Sequence, residues 1–120
     1  MTGLRVLIVE DEAIIAMLVE DAVESAGHVV AASAGNITDA MDAAMSADFN
    51  VALLDVNLNG QKAHALPVAL AGRGKRFAFL TGYGEEGVLG QFVEAPVLRK
   101  PFTVGHIAQV LQKLSEKGRD

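Results

Sequence analysis

The sequence predicts an α/β fold: a doubly wound parallel sheet with helices on both faces. Three observations predict it. Strand-like apolar runs alternate with helical patterns five times along 120 residues, which is the signature of successive parallel crossovers. The run Val51-Ala52-Leu53-Leu54 is apolar throughout, as in a strand buried on both sides, and it ends in Asp55. Acidic, hydroxyl and basic residues recur just after the strand-like runs. In a parallel sheet all those ends lie on one edge, where open α/β folds bind ligands.

The elements follow in order. Leu4 to Val9 is a strand broken only by Arg5, and it runs into Glu10-Asp11-Glu12. Apolar residues at 15, 18, 19, 22, 23 and 26 form a stripe of period 3.6, with Asp11 as the candidate N-cap and Gly27 as the stop. His28 to Ala32 is a short second strand. Ile37, Ala40, Met41, Ala44 and Met45 mark a second helix capped by Asn36. The third strand spans 51–55, and Asn59-Gly60 provides a tight turn after it. Residues 62–73 read as a weak helix ended by Gly72 and Gly74, with Pro67 in its first turn or at a kink. Arg76 to Leu80 is a fourth strand, followed by Thr81-Gly82-Tyr83-Gly84. Two more glycines at 85–93 leave room only for a short helix. Val97-Leu98 is a brief fifth strand leading to Arg99-Lys100-Pro101-Phe102. The last helix carries Val104, Ile107, Ala108, Leu111 and Leu114, capped by Thr103.

Bulk properties narrow the classes. The length and the absence of repeats, low-complexity segments or linkers lead us to expect one domain over 1–120. Hydrophobic residues make up 51% and charged residues 21%, as in globular proteins. With no cysteine there is no disulfide framework or thiol chemistry. No apolar run approaches the ~20 residues of a membrane span, and the N-terminus lacks the pattern of a signal peptide. A cytoplasmic location without membrane contact is the expectation. The net charge of −5 argues against nucleic acid as a direct partner.

Glu10, Asp11, Asp55, Thr81 and Lys100 are thereby expected to converge. Clustered carboxylates repel and raise one another's proton affinity, and a hard divalent cation relieves the repulsion. Mg²⁺ suits one or two carboxylates, waters and a phosphate oxygen. Glu10, Asp11 and Asp55 are its candidate ligands, with the backbone carbonyl of Asn57. An ionised aspartate beside the cation is a candidate nucleophile toward phosphorus. Lys100, the Thr81 hydroxyl and the amides of Val56 and Gly82 are candidate partners for the phosphoryl oxygens. His28, His64 and His106 fall away from this edge. Each residue alone has an ordinary structural explanation: a turn, a helix dipole, a solvated lysine. Their joint placement does not.

The pattern resembles the response-regulator receiver domain of two-component signalling across essentially the whole chain. Val6-Leu7-Ile8-Val9-Glu10-Asp11-Glu12 is similar to its first strand and acidic pair, and Leu53-Leu54-Asp55-Val56-Asn57-Leu58 to its phospho-acceptor strand. Thr81 matches its switch hydroxyl and Lys100-Pro101-Phe102 its lysine–proline step. The resemblance implies a CheY-like, flavodoxin-like sheet of five parallel strands in the order 2-1-3-4-5. It also implies Mg²⁺-dependent transfer of a phosphoryl group to Asp55 from a histidine kinase or a histidine phosphotransfer protein. The resulting switch or phosphate shuttle catalyses its own phosphorylation and dephosphorylation without being a turnover enzyme. Val97 stands where the family usually carries a strand-5 aromatic. Phe77-Ala78-Phe79-Leu80-Thr81-Gly82-Tyr83-Gly84 is similar to the "FATGUY" subgroup of alphaproteobacterial receivers, which lacks that aromatic. A rearranging Gly82–Gly84 loop with Tyr83 as its moving side chain is therefore expected.

Ile14 and Met17, at the margin of the first helix's core stripe, are candidates for docking the phosphodonor. The chain ends after its last helix, so output is expected through contacts with a downstream protein. The side formed by the fourth helix, fifth strand and last helix is a candidate for readout or a homodimer. Three other readings stand beside the receiver. A pseudo-receiver would bind partners without phosphorylation, contrary to its intact Asp55, Thr81 and Lys100. A haloacid-dehalogenase-like phosphatase would want an acid at position 57, where Asn57 stands. A nucleotide- or flavin-binding flavodoxin-like protein would want a Gly-rich loop after the first strand, where acids stand.

Overall fold

The computed structural model describes residues 3–55, 57–58, 60–62, 65–81 and 95–117; the side chains of 61, 62, 81, 116 and 117 are outside this set. Its elements are β1 (Arg5–Val9), α1 (Ala13–Ser25), β2 (Val29–Ala34), α2 (Ile37–Ser46), β3 (Val51–Leu54), β4 (Asn57–Leu58), β5 (Gln61–Lys62), α3 (Ala65–Gly72), β6 (Arg76–Thr81), β7 (Val97–Arg99) and α4 (Val104–Lys117). Five strands form a parallel sheet in the order β2-β1-β3-β6-β7. Counting only the strands of that sheet, this is the expected order 2-1-3-4-5.

Alternation along the central strands builds two cores. Val6 and Ile8 of β1, Val51 and Leu53 of β3, and Ala78 and Leu80 of β6 face one side, against α1 and α4. Leu7, Val9, Ala52, Leu54, Phe77 and Phe79 face the other side, which buries Ala40 and Ala44 of α2 and Leu66 and Leu70 of α3. With side chains alternating every second residue, near-continuous apolar strands are what a sheet covered on both faces requires. The helices supply the complementary stripes. Val19, Ala22 and Val23 of α1 are buried, as are Ile107, Val110, Leu111 and Leu114 of α4. Met45 and Val104, at the edges of their stripes, are exposed.

Local chemistry fixes the helix ends. Asn36 caps α2 by accepting a hydrogen bond from the Asp39 amide at 2.8 Å. Thr103 and His106 cap α4 reciprocally: Thr103 Oγ1 accepts from the His106 amide, and His106 Nδ1 from the Thr103 amide. The start of α1 differs from expectation. Its N-cap is Glu12 rather than Asp11. The Ala16 amide bonds the Glu12 carbonyl, which begins the helix one residue later. At the other end Gly27 has φ +89°, with His28 N bonding Val23 O and Gly27 N bonding Glu24 O, a Schellman stop. Nothing lies near the position of a Gly27 Cβ, so Gly27→Ala meets only backbone strain. A loss of about 1–2 kcal/mol is expected, read as a lower urea midpoint with unchanged slope.

Two further elements depart from the sequence reading. β2 continues through Ser33 to Ala34, because its ladder with β1 extends to Val9. Gln61 and Lys62 are not helical. They pair antiparallel with Leu58 and Asn57, and Gly60 at φ +82° lies in the two-residue connection. The short helix expected within 85–93 lies outside the described residues.

Candidate functional site

The ends of neighbouring strands assemble the site. The Asp55 amide bonds Val9 O at 2.8 Å and the Glu10 amide bonds Ala34 O at 3.0 Å. Both carboxylates thus leave the sheet at the same level, on adjacent strands. Each residue is only 3% exposed. Thr81 ends β6, where it pairs in register with Arg99 of β7, and Lys100 follows directly. The Lys100–Pro101 peptide is cis.

The structure brings Glu10, Asp11, Asp55 and Lys100 together. One carboxylate oxygen from each of Glu10, Asp11 and Asp55 lies within 4.8 Å of the others. Lys100 Nζ is 2.9 Å from Glu10 Oε1 and 2.9 Å from Asp55 Oδ2. The Asp55 contact is a hydrogen bond. Glu10 Oε1 is buried, and the Lys100 ammonium is the charge that faces it. Asp55 Oδ1 accepts from the Asn57 amide at 2.8 Å, and Glu10 Oε2 from the Glu12 amide at 3.1 Å. The Asn57 amide thus holds Asp55, a role separate from the backbone carbonyl expected to face the cation.

Electrostatics follow from this crowding. Burial, reinforced by the charge on Asp55, pushes the Glu10 carboxyl from an ordinary 4.5 up to about 7, against the opposing pull of Lys100 and the Glu12 amide. Burial disfavours the Lys100 ammonium, yet Asp55 and Glu10 outweigh it and hold its proton more tightly than usual. An acid whose folded pKa is raised keeps its proton longer in the folded state. Its contribution to stability is therefore greatest below about 4.5 and is lost as pH rises through about 7.

The residues present fit a hard divalent cation. They offer only oxygen, set one oxygen from each of three carboxylates within 4.8 Å of the others, and carry excess negative charge over one ammonium. Added Mg²⁺ should therefore raise the melting temperature. The rise should be larger at about pH 8 than at about pH 6, because the cation competes with the Glu10 proton. Differential scanning calorimetry at both pH values checks this.

The remaining predicted positions are distributed as follows. Ile14 and Met17 are 83% and 62% exposed near the start of α1, beside the loop carrying Glu10 and Asp11. The side chain of Thr81, and all of Val56, Gly82 and Tyr83, lie outside the described residues. So does the Gly-rich part of the stretch that resembles the FATGUY pattern. Sequence reasoning left Glu12 without a role. Its Oε1 lies 3.4 Å from Lys100 Nζ, and a third consecutive acid was the available signal. No described helix is long and apolar enough to cross a membrane.

Comparison with known proteins agrees with this geometry. The model of the family described as "Response regulator receiver domain" matches residues 6–112. Among solved structures, the chain is similar to SdrG from Sphingomonas melonis Fr1 (36% identity over 94% of this chain and 97% of that one, TM-score 0.84). It is also similar to the BeF3-activated conformation of SdrG from Pseudomonas melonis Fr1 (37% identity, 95% and 98% covered, TM-score 0.78). The receiver domain of the PhyR response regulator from Erythrobacter litoralis is a third such structure (28% identity, 96% and 92% covered, TM-score 0.83). No curated protein matches the chain.

Proposed function

The chain belongs to the response-regulator receiver domain family, and on that premise we propose that it accepts a phosphoryl group on Asp55. The observation that carries the proposal is the buried Asp55 carboxylate, held by the Asn57 amide on one oxygen and Lys100 on the other, within the acidic group. Glu10, Asp11 and Asp55 would hold Mg²⁺, with the Asn57 carbonyl completing the protein's share. The bound ion supplies charge neutralisation for the phosphoryl oxygens.

The chain's own residues do the rest. An Asp55 carboxylate oxygen attacks phosphorus as the P–N bond of a phosphohistidine breaks. The bonding pair leaves with the donor imidazole, which takes a proton from solvent. No general base is needed, because the nucleophile is already ionised. Lys100 stabilises the negative phosphoryl oxygens, together with the Thr81 hydroxyl and the amides of Val56 and Gly82. The BeF3-activated conformation of a relative supports this reading, since trifluoroberyllate has the shape and charge of a phosphoryl group. Ile14 and Met17 form the apolar surface on which a histidine kinase or phosphotransfer protein docks. The domain acts as a switch or shuttle that signals through a downstream protein, with Tyr83 as the moving group.

Intact mass after incubation with acetyl phosphate, with and without Mg²⁺, tests the proposal. A Mg²⁺-dependent gain of one phosphoryl group is expected. Folded protein that gains nothing from acetyl phosphate, and nothing from a phosphohistidine donor, would instead be a phosphorylation-independent binding module.

A further inference from the structure

Lys100 Nζ has a third carboxylate neighbour outside the cation-holding group. Glu12 Oε1 lies 3.4 Å away, on a side chain that is 61% exposed, while those of Glu10 and Asp55 are almost fully enclosed. Glu12 is the N-cap of α1, yet its side chain makes no capping hydrogen bond. Its backbone amide, not its carboxylate, serves Glu10. The carboxylate is thus not committed to the helix, and its contact with Lys100 bridges 88 residues of sequence.

A divalent cation on Glu10, Asp11 and Asp55 would change what Lys100 faces. The negative charge at its two 2.9 Å partners would be taken up by the cation, and a like charge would stand nearby. The lysine is a point charge on a flexible stem and can swing outward. Glu12 is the acid on that outward side. We propose that Glu12 is a positioning residue: it holds the Lys100 ammonium at the rim of the site once a divalent cation takes over Glu10 and Asp55. There the ammonium stays within reach of incoming phosphoryl oxygens and does not oppose the cation. This inference rests on the Mg²⁺ reading of the acidic group.

The test is a Mg²⁺ titration of four proteins, followed by backbone amide NMR: wild type, Glu12→Gln, Lys100→Gln and the double variant. Lys100→Gln should tighten Mg²⁺ binding by removing the competing charge. Glu12→Gln should weaken binding about two- to fivefold when Lys100 is present. In the Lys100→Gln background that factor should shrink at least about twofold. Loss of a distant negative charge alone would weaken binding equally in both backgrounds, and that result overturns the role of Glu12. Absence of Mg²⁺ binding to all four folded proteins would instead overturn the cation reading, and this inference with it. Because the Glu12 side chain caps nothing, its substitution leaves the helix start intact, and the amide spectrum verifies this.

Discussion

Asp55→Asn should remove the phosphoryl gain altogether, by at least about a hundredfold in initial rate, while the protein stays folded. The amide has nearly the shape of the carboxylate. Its oxygen can still accept from the Asn57 amide, which now binds Asp55 Oδ1 at 2.8 Å. What it lacks is the ionised oxygen that attacks phosphorus. The stability outcome separates this from unfolding. Glu10, Asp11 and Asp55 crowd within 4.8 Å, so deleting one charge relieves repulsion among the other acids, and Lys100 keeps Glu10 and Glu12. Without Mg²⁺ the melting temperature should rise, and the increment that Mg²⁺ adds should shrink. Intact mass and calorimetry on the same sample read both effects. A variant that still gains a phosphoryl group places the acceptor elsewhere.

Phe79→Ala should have the largest effect on stability, about 3–5 kcal/mol. Phe79 is fully buried in the core on the α2–α3 side. Its ring meets Phe77 edge-on, with centroids 5.5 Å apart at 77°, and its Cα pairs with Leu54, the residue before Asp55. Truncation leaves a cavity between elements that cannot close without moving the sheet. A typical total of roughly 5–15 kcal/mol leaves little margin after such a loss. Urea unfolding should show a midpoint lowered by a large fraction of its value. A loss below about 1 kcal/mol would mean that the helices collapse onto the gap.

Strands β1 and β3 were legible in the sequence because a doubly covered sheet demands uninterrupted apolar runs. The convergence of Glu10, Asp55 and Lys100 was legible because parallel topology puts all strand ends on one edge. β2 was read too short because Ser33 interrupts the apolar run, whereas pairing with β1 carries the strand onward. The helical pattern over 62–73 takes in Lys62 because that residue does not resist a helix; pairing of Lys62 with Asn57 and of Gln61 with Leu58 decides for a hairpin. Glu12 stayed hidden for a different reason. An acid at a helix start already has a local explanation in the dipole, while its contact with Lys100 reaches from the end of β1 past β3 and β6 to the end of β7.

The two cores on opposite sides of the sheet have a mechanical consequence. Apolar side chains of α1 and α4 pack in one cluster and those of α2 and α3 in another, so the sheet is a bulkhead between two compartments. Among the described residues, the sheet's strands lie between the cluster under α4 and the cluster under α2, so a disturbance on one side that displaces a strand is passed to the other. The strands that such a displacement would move carry Glu10, Asp55 and Lys100 at their ends. The acidic group thus sits on a sheet that both compartments share, where a small shift of one strand against the next is felt on both sides.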